Sequence, residues 1–536
     1  MRYIYEFDKE LQIASVREDI ENGIGVLTLL QNVNQKQPSI NAYLGARYSR
    51  SADSVKTIAQ EIMQKGIDAS SRLESIFSGY GHKSVGDMAE LFVCIENVPM
   101  ILAMRAFYLN PTLAGQERST RFQNFKQPNF VDMPEGINEE LVSEYYSILN
   151  SYLVKYEELL EKITDAYASY YNIDVEDKQQ LSALNARVFD TVRYLIPLGM
   201  RTSLGFIMSA RNWSEYISRL LGSRYSQENR LGTLLLDILS KSDTLMELGY
   251  IPEADGLIRH TDANTTRYET TKEMREYLKG KIPEKILDNN AEYTGIPDND
   301  LKVDENDDPV YELLCNYLLS INPNIKLGDH LDKYFDDENI LKDIGQILSN
   351  RHNHHNQIGN IAQTGAYSIT GYADHGILKD LNRHRSFERF VPLWEDSTDL
   401  EIELKRDNPY SLCNYLYIDE FKELKQYFTS FLDDTYLRIK DWNMRATREV
   451  GIDFSNEYTK YLLPHAHSTR YRYFASIDDL LYTINLRIRP GGHIAYRSLV
   501  KSWANHLAKE SIFFKGLFSN LSRVDPNSSK EFLDRG

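Results

Sequence analysis

Three short segments of this chain combine arginine with other groups that can bind anions. The first begins at Gly115, which permits a tight turn, and continues through Glu117, Ser119, Thr120 and Arg121. Hydroxyls and backbone amides in such a loop can bind an anion, and an arginine can hold a phosphate through two parallel hydrogen bonds. An ordinary polar surface loop is the alternative interpretation of the same residues.

The second segment is the triplet Arg383, His384 and Arg385, in which two guanidinium groups flank an imidazole. Such a dense positive site suits a phosphate or the pyrimidine edge of a reduced flavin, and a solvated basic turn is the alternative. The third segment contains Arg487, near the end of a helix that the spacing predicts from Ser476. An arginine there could bind a ligand or could only complement the helix dipole.

Two histidine-containing segments give weaker signals. His82 and Ser84 follow Gly81 just before a predicted strand, but a glycine-histidine pair is common by itself. His352 and His355 could share one face of a helix. Because no carboxylate follows them at the spacing of a metal site, we predict that the chain has no metal centre.

The composition restricts the partners and the compartment of this protein. The 536 residues include 61 basic and 78 acidic side chains, a formal charge of −17, which argues against broad binding of nucleic acid or an anionic membrane. No apolar run is long enough for a signal peptide or a membrane span. The three cysteines form no CxxC pair, and Cys94, in an apolar run, is typical of a small buried hydrophobe. These features predict a cytoplasmic protein that binds neither nucleic acid nor membrane.

The elements that must position these segments occur in a repeated order. Residues 90–95 favour a strand and are followed by a helix that begins near Pro99, while residues 366–372 favour a strand and 374–381 a short helix. Apolar residues at three- and four-residue spacings predict a long helix over residues 140–164 and a second helix that begins at Ser209, a suitable N-cap. The chain therefore contains the order strand, short helix and polar loop twice.

An internal repeat supports two related halves. Residues 194–197 read Tyr-Leu-Ile-Pro and residues 461–464 read Tyr-Leu-Leu-Pro, 267 positions later (461 minus 194). Three further identities share this offset: Thr202 with Thr469, Ser209 with Ser476, and Ile217 with Ile484. We therefore predict a divergent duplication with domains at residues 1–250 and 331–536. Residues 251–330 are predicted to be an acidic connector, with a solvated loop over 298–308.

Taken in order, these segments resemble the flavin-dependent thymidylate synthase family. That family's pattern has a glycine-histidine segment, an Arg-His-Arg group, a loop of the form ExSxRY, and a later helix that ends in a leucine-arginine pair. The first half supplies Gly81-His82 and Glu117-x-Ser119-x-Arg121, and the second half supplies the triplet 383–385 and Leu486-Arg487. The resemblance covers roughly residues 40–235 and 345–510.

Each half departs from the family pattern, and the two halves together contain nearly one complete set. In the first half the triplet's place falls near residues 109–111, and Met88 stands where the pattern has a histidine. In the second half the loop after Arg385 lacks ExSxR. Sites of this family are assembled between subunits of a homotetramer, so a tandem chain can let each half lose what the other supplies.

The resemblance implies an α+β fold with two tandem domains, each a small, mainly antiparallel sheet with packed helices. It implies that Arg121 and Arg487 hold the phosphate and base of a nucleotide, and that Ser119 contacts the pyrimidine. Further implied roles are substrate binding by Glu117 and Thr120, catalysis by Ser119 and Arg487, and FAD binding by Arg383, His384, Arg385, His82 and Ser84.

The implied reaction transfers a one-carbon unit from methylenetetrahydrofolate to C5 of dUMP or a related pyrimidine nucleotide. Reduced FAD supplies a hydride, and NADPH re-reduces the flavin. Two such chains would form a homodimer equivalent to the four-domain assembly. The alternative is a non-catalytic or regulatory protein that binds flavin or nucleotide on a degenerate scaffold of the same family.

Overall fold

The structure is a computed structural model that describes most of the chain. The described residues are 2–29, 38–48, 51, 53–65, 72, 83–120, 125–240, 242–252, 254–266, 268–269, 273, 302–304, 310, 313, 338–351, 367–395, 400–406 and 409–534. Most of the predicted acidic connector and the histidine pair 352 and 355 lie outside these ranges.

The first half is built on a six-stranded antiparallel sheet with the order β1-β2-β3-β4-β6-β5. Its strands are β1 (Tyr3–Asp8), β2 (Ile13–Glu18), β3 (Gly25–Leu29), β4 (Glu90–Pro99), β5 (Ala114–Glu117) and β6 (Arg201–Ser209). Val93 of β4 pairs with Phe206 of β6, and both side chains are fully buried. The short strand β5 forms the edge of the sheet, so the loop that follows it is free to leave the sheet plane.

Nine helices of the first half are described. They are α1 (Pro38–Tyr48), α2 (Val55–Gln64), α3 (Met100–Leu109), α4 (Glu139–Tyr170), α5 (Lys178–Val192), α6 (Ala210–Leu221), α7 (Ser226–Leu239), α8 (Asp243–Glu247) and α9 (Asp255–Ile258). The predicted start of α6 is confirmed, because the Ser209 hydroxyl accepts a hydrogen bond from the backbone N–H of Asn212 at 3.3 Å. Leu257 and Ile258 of α9 belong to the core of this sheet, which therefore extends beyond residue 250.

The second half contains a four-stranded antiparallel sheet with the order β7-β8-β10-β9. Its strands are β7 (Lys302–Asp304), β8 (Tyr367–Asp374), β9 (Glu388–Phe390) and β10 (Ser468–Ala475). The expectation that residues 298–308 form only a solvated loop is wrong at β7, which pairs with Ser368, Ile369 and Thr370 of β8. The free edge of β8 offers backbone partners that an acidic local sequence does not indicate.

The described helices of the second half surround this sheet. They are α10 (Glu338–Arg351), α11 (His375–Leu381), α12 (Leu400–Leu404), α13 (Lys422–Glu449), α14 (Ile452–Leu462), α15 (Ile477–Arg487), α16 (Ile494–Glu510), α17 (Ile512–Leu517) and α18 (Ser529–Leu533). The order strand, short helix, edge strand, two long helices, strand and helix is the same in both halves. The predicted α+β class is confirmed, while the domain bounds at residues 250 and 331 remain predictions.

The two repeated Tyr-Leu-x-Pro segments contact each other. Leu198 N–H donates to the carbonyl of Leu463 at 2.8 Å, and His465 N–H donates to the carbonyl of Ile196 at 2.8 Å. The two donors, Leu198 and His465, are 267 positions apart, and so are the two acceptors, Ile196 and Leu463. Each half therefore donates the same bond to the other, and the halves are related by a local pseudo-twofold axis. Gly199 allows this close approach, because a Cβ there would lie 2.7 Å from the Cβ of Tyr461.

The long helices α4 and α13 pack antiparallel beside this contact. Trp442 Nε1–H of α13 donates to the Leu141 carbonyl of α4 at 2.9 Å, and Arg438 bonds Glu144. One apolar core contains side chains of both halves, including Tyr145, Leu195 and Trp442, so the halves do not have separate interiors here. Within the part of the chain that the structure describes, none of the helices combines the length and apolarity needed to span a bilayer.

Candidate functional site

A cavity of about 180 Å³ lies where the two halves meet. Its lining combines the loop after β5 with the end of α5, the helix α11, and the segments around the ends of α15 and the start of α16. The lining residues are Ser119, Thr120, Arg193, Lys379, Asp380, Arg383, Arg487, Gly491, Gly492, His493 and Tyr496. The structure therefore brings together Ser119, Thr120, Arg383 and Arg487, four residues that the sequence placed in one site.

The first half contributes a loop that leaves the sheet edge. Glu117, the last residue of β5, pairs with Leu204 of β6, and Arg118 N–H donates to the Ser203 carbonyl at 2.8 Å. After this last sheet bond, Ser119 and Thr120 turn into the cavity wall. Sheet pairing thus fixes where the hydroxyl groups stand relative to the rest of the protein.

The second half contributes the short helix α11 and the basic triplet after it. The Asp374 carboxylate caps this helix by accepting from Ile377 N–H at 2.8 Å, which fixes the helix start at the end of β8. Lys379 and Asp380 lie in the last turn of the helix, and Arg383 follows it. Capping at one end of the helix therefore sets the position of the charges at the other end.

An ion pair between the halves closes one side of the site. Lys379 Nζ lies 2.5 Å from Glu117 Oε1, and both side chains are only 6–7% exposed. Glu117 was expected to bind substrate through the loop motif, but its carboxylate is occupied by Lys379. The pair instead holds the base of the loop against α11.

A second charged contact between the halves involves Arg193, which directly precedes the first Tyr-Leu-Ile-Pro segment. Its Nη2 donates to Asp380 Oδ2 at 3.2 Å, whereas its buried Nε finds no hydrogen-bond partner among the described residues. Burial by itself would raise the pKa of Asp380, but Arg193, Arg383 and Arg487 outweigh burial and lower it. Asp380 is therefore ionised, and Arg193 retains a donor for a further acceptor.

The lining carries an excess of positive charge. Four cationic side chains, Arg193, Lys379, Arg383 and Arg487, are accompanied by the carboxylates of Asp380 and Glu117. Four minus two leaves an excess of two positive charges, because His493 is neutral: burial followed by Arg193 lowers its pKa to about 4. A phosphate monoester near pH 7 carries a similar charge of opposite sign.

Arg487 is held in place by His384. Its Nε–H donates to His384 Nε2 at 2.6 Å and its Nη2 donates to the Asp380 carbonyl at 3.0 Å, while its guanidinium lies 5.4 Å from the ring centre of Tyr496. Burial, then Arg487, lowers the pKa of His384 to about 3, so the neutral ring can accept this bond. Thr483 Oγ1 lies 3.1 Å from the other ring nitrogen.

This arrangement changes the expected role of His384. The sequence assigned it to flavin binding, yet both ring nitrogens are used within the protein and the residue is only 7% exposed. His384 positions Arg487 instead. The flanking Arg383 is exposed and Arg385 is half-buried, so both guanidinium groups of the triplet remain accessible to a bound group such as the anionic edge of a reduced flavin.

The side chains of three expected site residues lie outside the part of the chain that the structure describes. Arg121 and His82 lie outside the described residues, and only the backbone of Ser84 is described, in the 3₁₀ turn Lys83–Met88. Arg385 is described but is not part of the cavity lining. No group of three or more histidine, cysteine, aspartate or glutamate side chains suited to a metal ion occurs in the described ranges.

Sequence reasoning missed several residues of the cavity. Arg193 could have been found, because a basic residue precedes both repeated segments: Arg193 the first and Lys460 the second. Lys379 and Asp380 carried none, because a charged pair in a short helix is ordinary and their partners Glu117 and Arg193 are far away in the chain.

The fold and the cavity define a protein of two related α+β domains that share one cationic site. Residues 28–240 match the family model described as thymidylate synthase complementing protein. A UPF0159 protein of Chlamydia pneumoniae is 23% identical over 487 residues, covering 86% of this chain and 82% of that protein. A UPF0159 protein of Chlamydia muridarum (strain MoPn / Nigg) is 22% identical over 459 residues, covering 82% and 78%.

Proposed function

We propose that this protein is a flavin-dependent enzyme of the thymidylate synthase type, which transfers a one-carbon unit to C5 of dUMP or a related pyrimidine nucleotide. One observation carries the proposal. The loop residues Ser119 and Thr120 of the half that matches the family line the same cavity as Arg383 and Arg487 of the other half. Groups of the family pattern from both halves thus meet at one cavity, although neither half contains the whole pattern.

The charge of the cavity supports binding of the nucleotide's phosphate. Arg487 and Arg193 reach the cavity from opposite halves, and the unpartnered Nε of Arg193 offers a buried donor among the described residues. Arg121 would add a third guanidinium through the loop motif. Ser119, from the same loop, would contact the pyrimidine ring.

The protein's own contribution to the chemistry is electrostatic and positional. His384 and the Asp380 carbonyl fix the Arg487 guanidinium before any ligand arrives, so little reorganisation is needed when negative charge develops on the pyrimidine. Arg383 and Arg385 would hold FAD, which supplies hydride transfer when bound. NADPH and methylenetetrahydrofolate would be the co-substrates.

A non-catalytic nucleotide- or flavin-binding role is the second candidate. It is favoured by one specific residue, Met88, which stands where the family pattern has a histidine and is 52% exposed in the structure. A thioether there can neither transfer a proton nor carry charge.

Two measurements test the proposal. The purified protein should show flavin absorption or bind added FAD, and it should release tritium from [5-³H]dUMP when methylenetetrahydrofolate and NADPH are present. The Ser119→Ala variant is the matched control and should lose release while retaining FAD. Absence of FAD binding would refute the flavoenzyme, and binding of FAD and dUMP without release would favour the non-catalytic role.

We further propose that the chain functions in the cytoplasm as a homodimer. Each chain already contains one pseudo-twofold pair of domains, and two chains would give the four domains expected from the family. Light scattering after size exclusion would show about twice the 62.2 kDa chain mass. A mass of one chain at micromolar concentration would contradict this assembly.

A further inference from the structure

The pseudo-twofold axis creates a second position equivalent to the cavity, and sheet register identifies its residues. Ala114 of β5 pairs with Ile207, and Glu388 of β9 pairs with Phe474, which lies 267 positions after Ile207. Ala114 and Glu388 are therefore equivalent. Counting forward by the same number of residues in both halves makes Leu393 equivalent to Ser119 and Trp394 equivalent to Thr120.

The loop of the second position is apolar and packed. Leu393 and Trp394 lie in the 3₁₀ turn Pro392–Trp394, and both side chains are 0% exposed. The Trp394 ring packs edge-on against the Tyr108 ring with centres 5.5 Å apart. Where the cavity has two hydroxyl side chains, the equivalent position therefore has a buried indole and an isobutyl group.

The equivalent helix is α3, and it carries different groups at each place. Met100 N–H donates to the Met200 carbonyl, and His375 N–H donates to the carbonyl of His467, which lies 267 positions after Met200. Met100 and His375 are therefore equivalent. By this register Tyr108, Leu109 and Asn110 stand opposite the triplet 383–385, one residue earlier than the expected 109–111. The Tyr108 hydroxyl bonds the Glu395 carboxylate, so it occupies the space of a ligand-facing arginine.

At this second position, the residues equivalent to Arg193 and Arg487 are a lysine that is bonded within the protein and a leucine. Lys460, opposite Arg193, is 2% exposed, donates from Nζ to the Glu395 carbonyl at 2.7 Å and lies 4.7 Å from the ring centre of Tyr225. That tyrosine stands opposite Gly492 of the cavity, and Leu220 stands opposite Arg487 by the 267 offset. An aromatic ring thus fills space that glycine leaves open.

We infer that each chain binds one pyrimidine nucleotide, at the cavity lined by Arg487, and that the pseudo-symmetric position is closed by the protein's own side chains. The identity of the ligand rests on the proposed function. Duplication would otherwise predict two sites per chain. The closed position has instead become part of the contact between the halves, through Tyr108 with Glu395 and Lys460 with Tyr225.

Equilibrium dialysis with radiolabelled dUMP, with and without saturating FAD, tests the inference. Binding should saturate at one nucleotide per chain. Saturation at two would overturn the inference and leave the proposed function standing, whereas no binding with a folded protein would overturn both. Circular dichroism and size exclusion on each sample establish folding.

Matched variants at equivalent positions sharpen the result. Arg487→Leu introduces the residue found at the equivalent Leu220. It should weaken dUMP binding roughly 30-fold or more, because the phosphate loses a half-buried charge partner. Tyr108→Phe removes only the hydroxyl bond at the closed position and should leave one site of unchanged affinity. Retention of one full-affinity site in Arg487→Leu, or loss of the site in Tyr108→Phe, would overturn the assignment.

Discussion

Glu117 and Lys379 form an ion pair of 2.5 Å between the last residue of β5 in the first half and α11 in the second. Because both side chains are almost fully buried, each depends on the other for charge compensation. The pair holds the loop that carries Ser119 against the helix that positions Arg383. A contact between 117 and 379 therefore connects the two sources of the proposed nucleotide site.

Lys379→Met, which introduces the residue found at the equivalent Met104, should leave the Glu117 carboxylate buried and uncompensated. We expect the free energy of unfolding to fall by about 3–5 kcal/mol, measured by urea denaturation. The double variant Glu117→Gln with Lys379→Met should recover much of this loss. Equal losses in the single and double variants would contradict the pairing.

His384→Asn should weaken nucleotide binding about tenfold, because the Arg487 guanidinium loses the acceptor that fixes its orientation. Since the pKa of His384 is lowered to about 3, its protonation should not change dUMP affinity between pH 6 and 8. Calorimetric titration of both proteins across this range checks both statements. A pH dependence present in the wild type and absent from His384→Asn would show that His384 titrates there.

Stability should fall as the pH decreases below about 6.5, the ordinary pKa of histidine. His375, His465 and His467 are buried, and burial lowers the pKa of each, that of His375 to about 3. The unfolded chain therefore binds protons that the folded protein does not, which removes up to about 1.4 kcal/mol per pH unit for each histidine. His384 and His493 add to this trend, because burial lowers the pKa of both. Asp374 and Glu457 oppose it, because burial raises the pKa of each, that of Asp374 to about 7, but two carboxyls cannot cancel five histidines.

A matched variant isolates the histidine contribution. Met100, Leu198 and Met200 stand at the equivalent places in the first half, so we would combine His375→Met, His465→Leu and His467→Met. Urea unfolding at pH 8 and pH 5.5 should show a much smaller decrease for this variant than for the wild type. The same decrease in both proteins would assign the acid sensitivity to other groups.

Arg187→Met should release the C-terminal segment and disturb the cavity wall together. The buried guanidinium donates to the carbonyls of Phe532, Gly492 and Asp534 at 3.2, 3.1 and 2.7 Å. We expect faster limited proteolysis after residue 519 and weaker dUMP binding, since Gly492 lines the cavity. Arg523→Ala, at a side chain 83% exposed, is the control and should change neither. Faster proteolysis with unchanged binding would separate the tail from the site.

Much of the local structure could be predicted from the sequence, for identifiable reasons. The start of α6 followed from Ser209 and from apolar residues at three- and four-residue spacings, both of which act within one helix. The duplication followed from Tyr194 to Pro197 and its copy, and the family resemblance followed from the order of short motifs. All of these signals concern neighbouring residues or an alignment of the chain with itself.

The composition of the cavity was decided by tertiary structure. Sequence spacing did not indicate that Lys379 would form an ion pair with Glu117 or that His384 would accept a hydrogen bond from Arg487. It also did not indicate that Trp394 would be buried at the position equivalent to Thr120. Each outcome depends on contacts between segments about 100 to 280 residues apart, and those of Glu117 with Lys379 and of Tyr108 with Trp394 also join the two halves. The sequence by itself determined the helices, the duplication and the candidate groups. Long-range packing determined which of these groups share one cavity and which are buried as structural contacts.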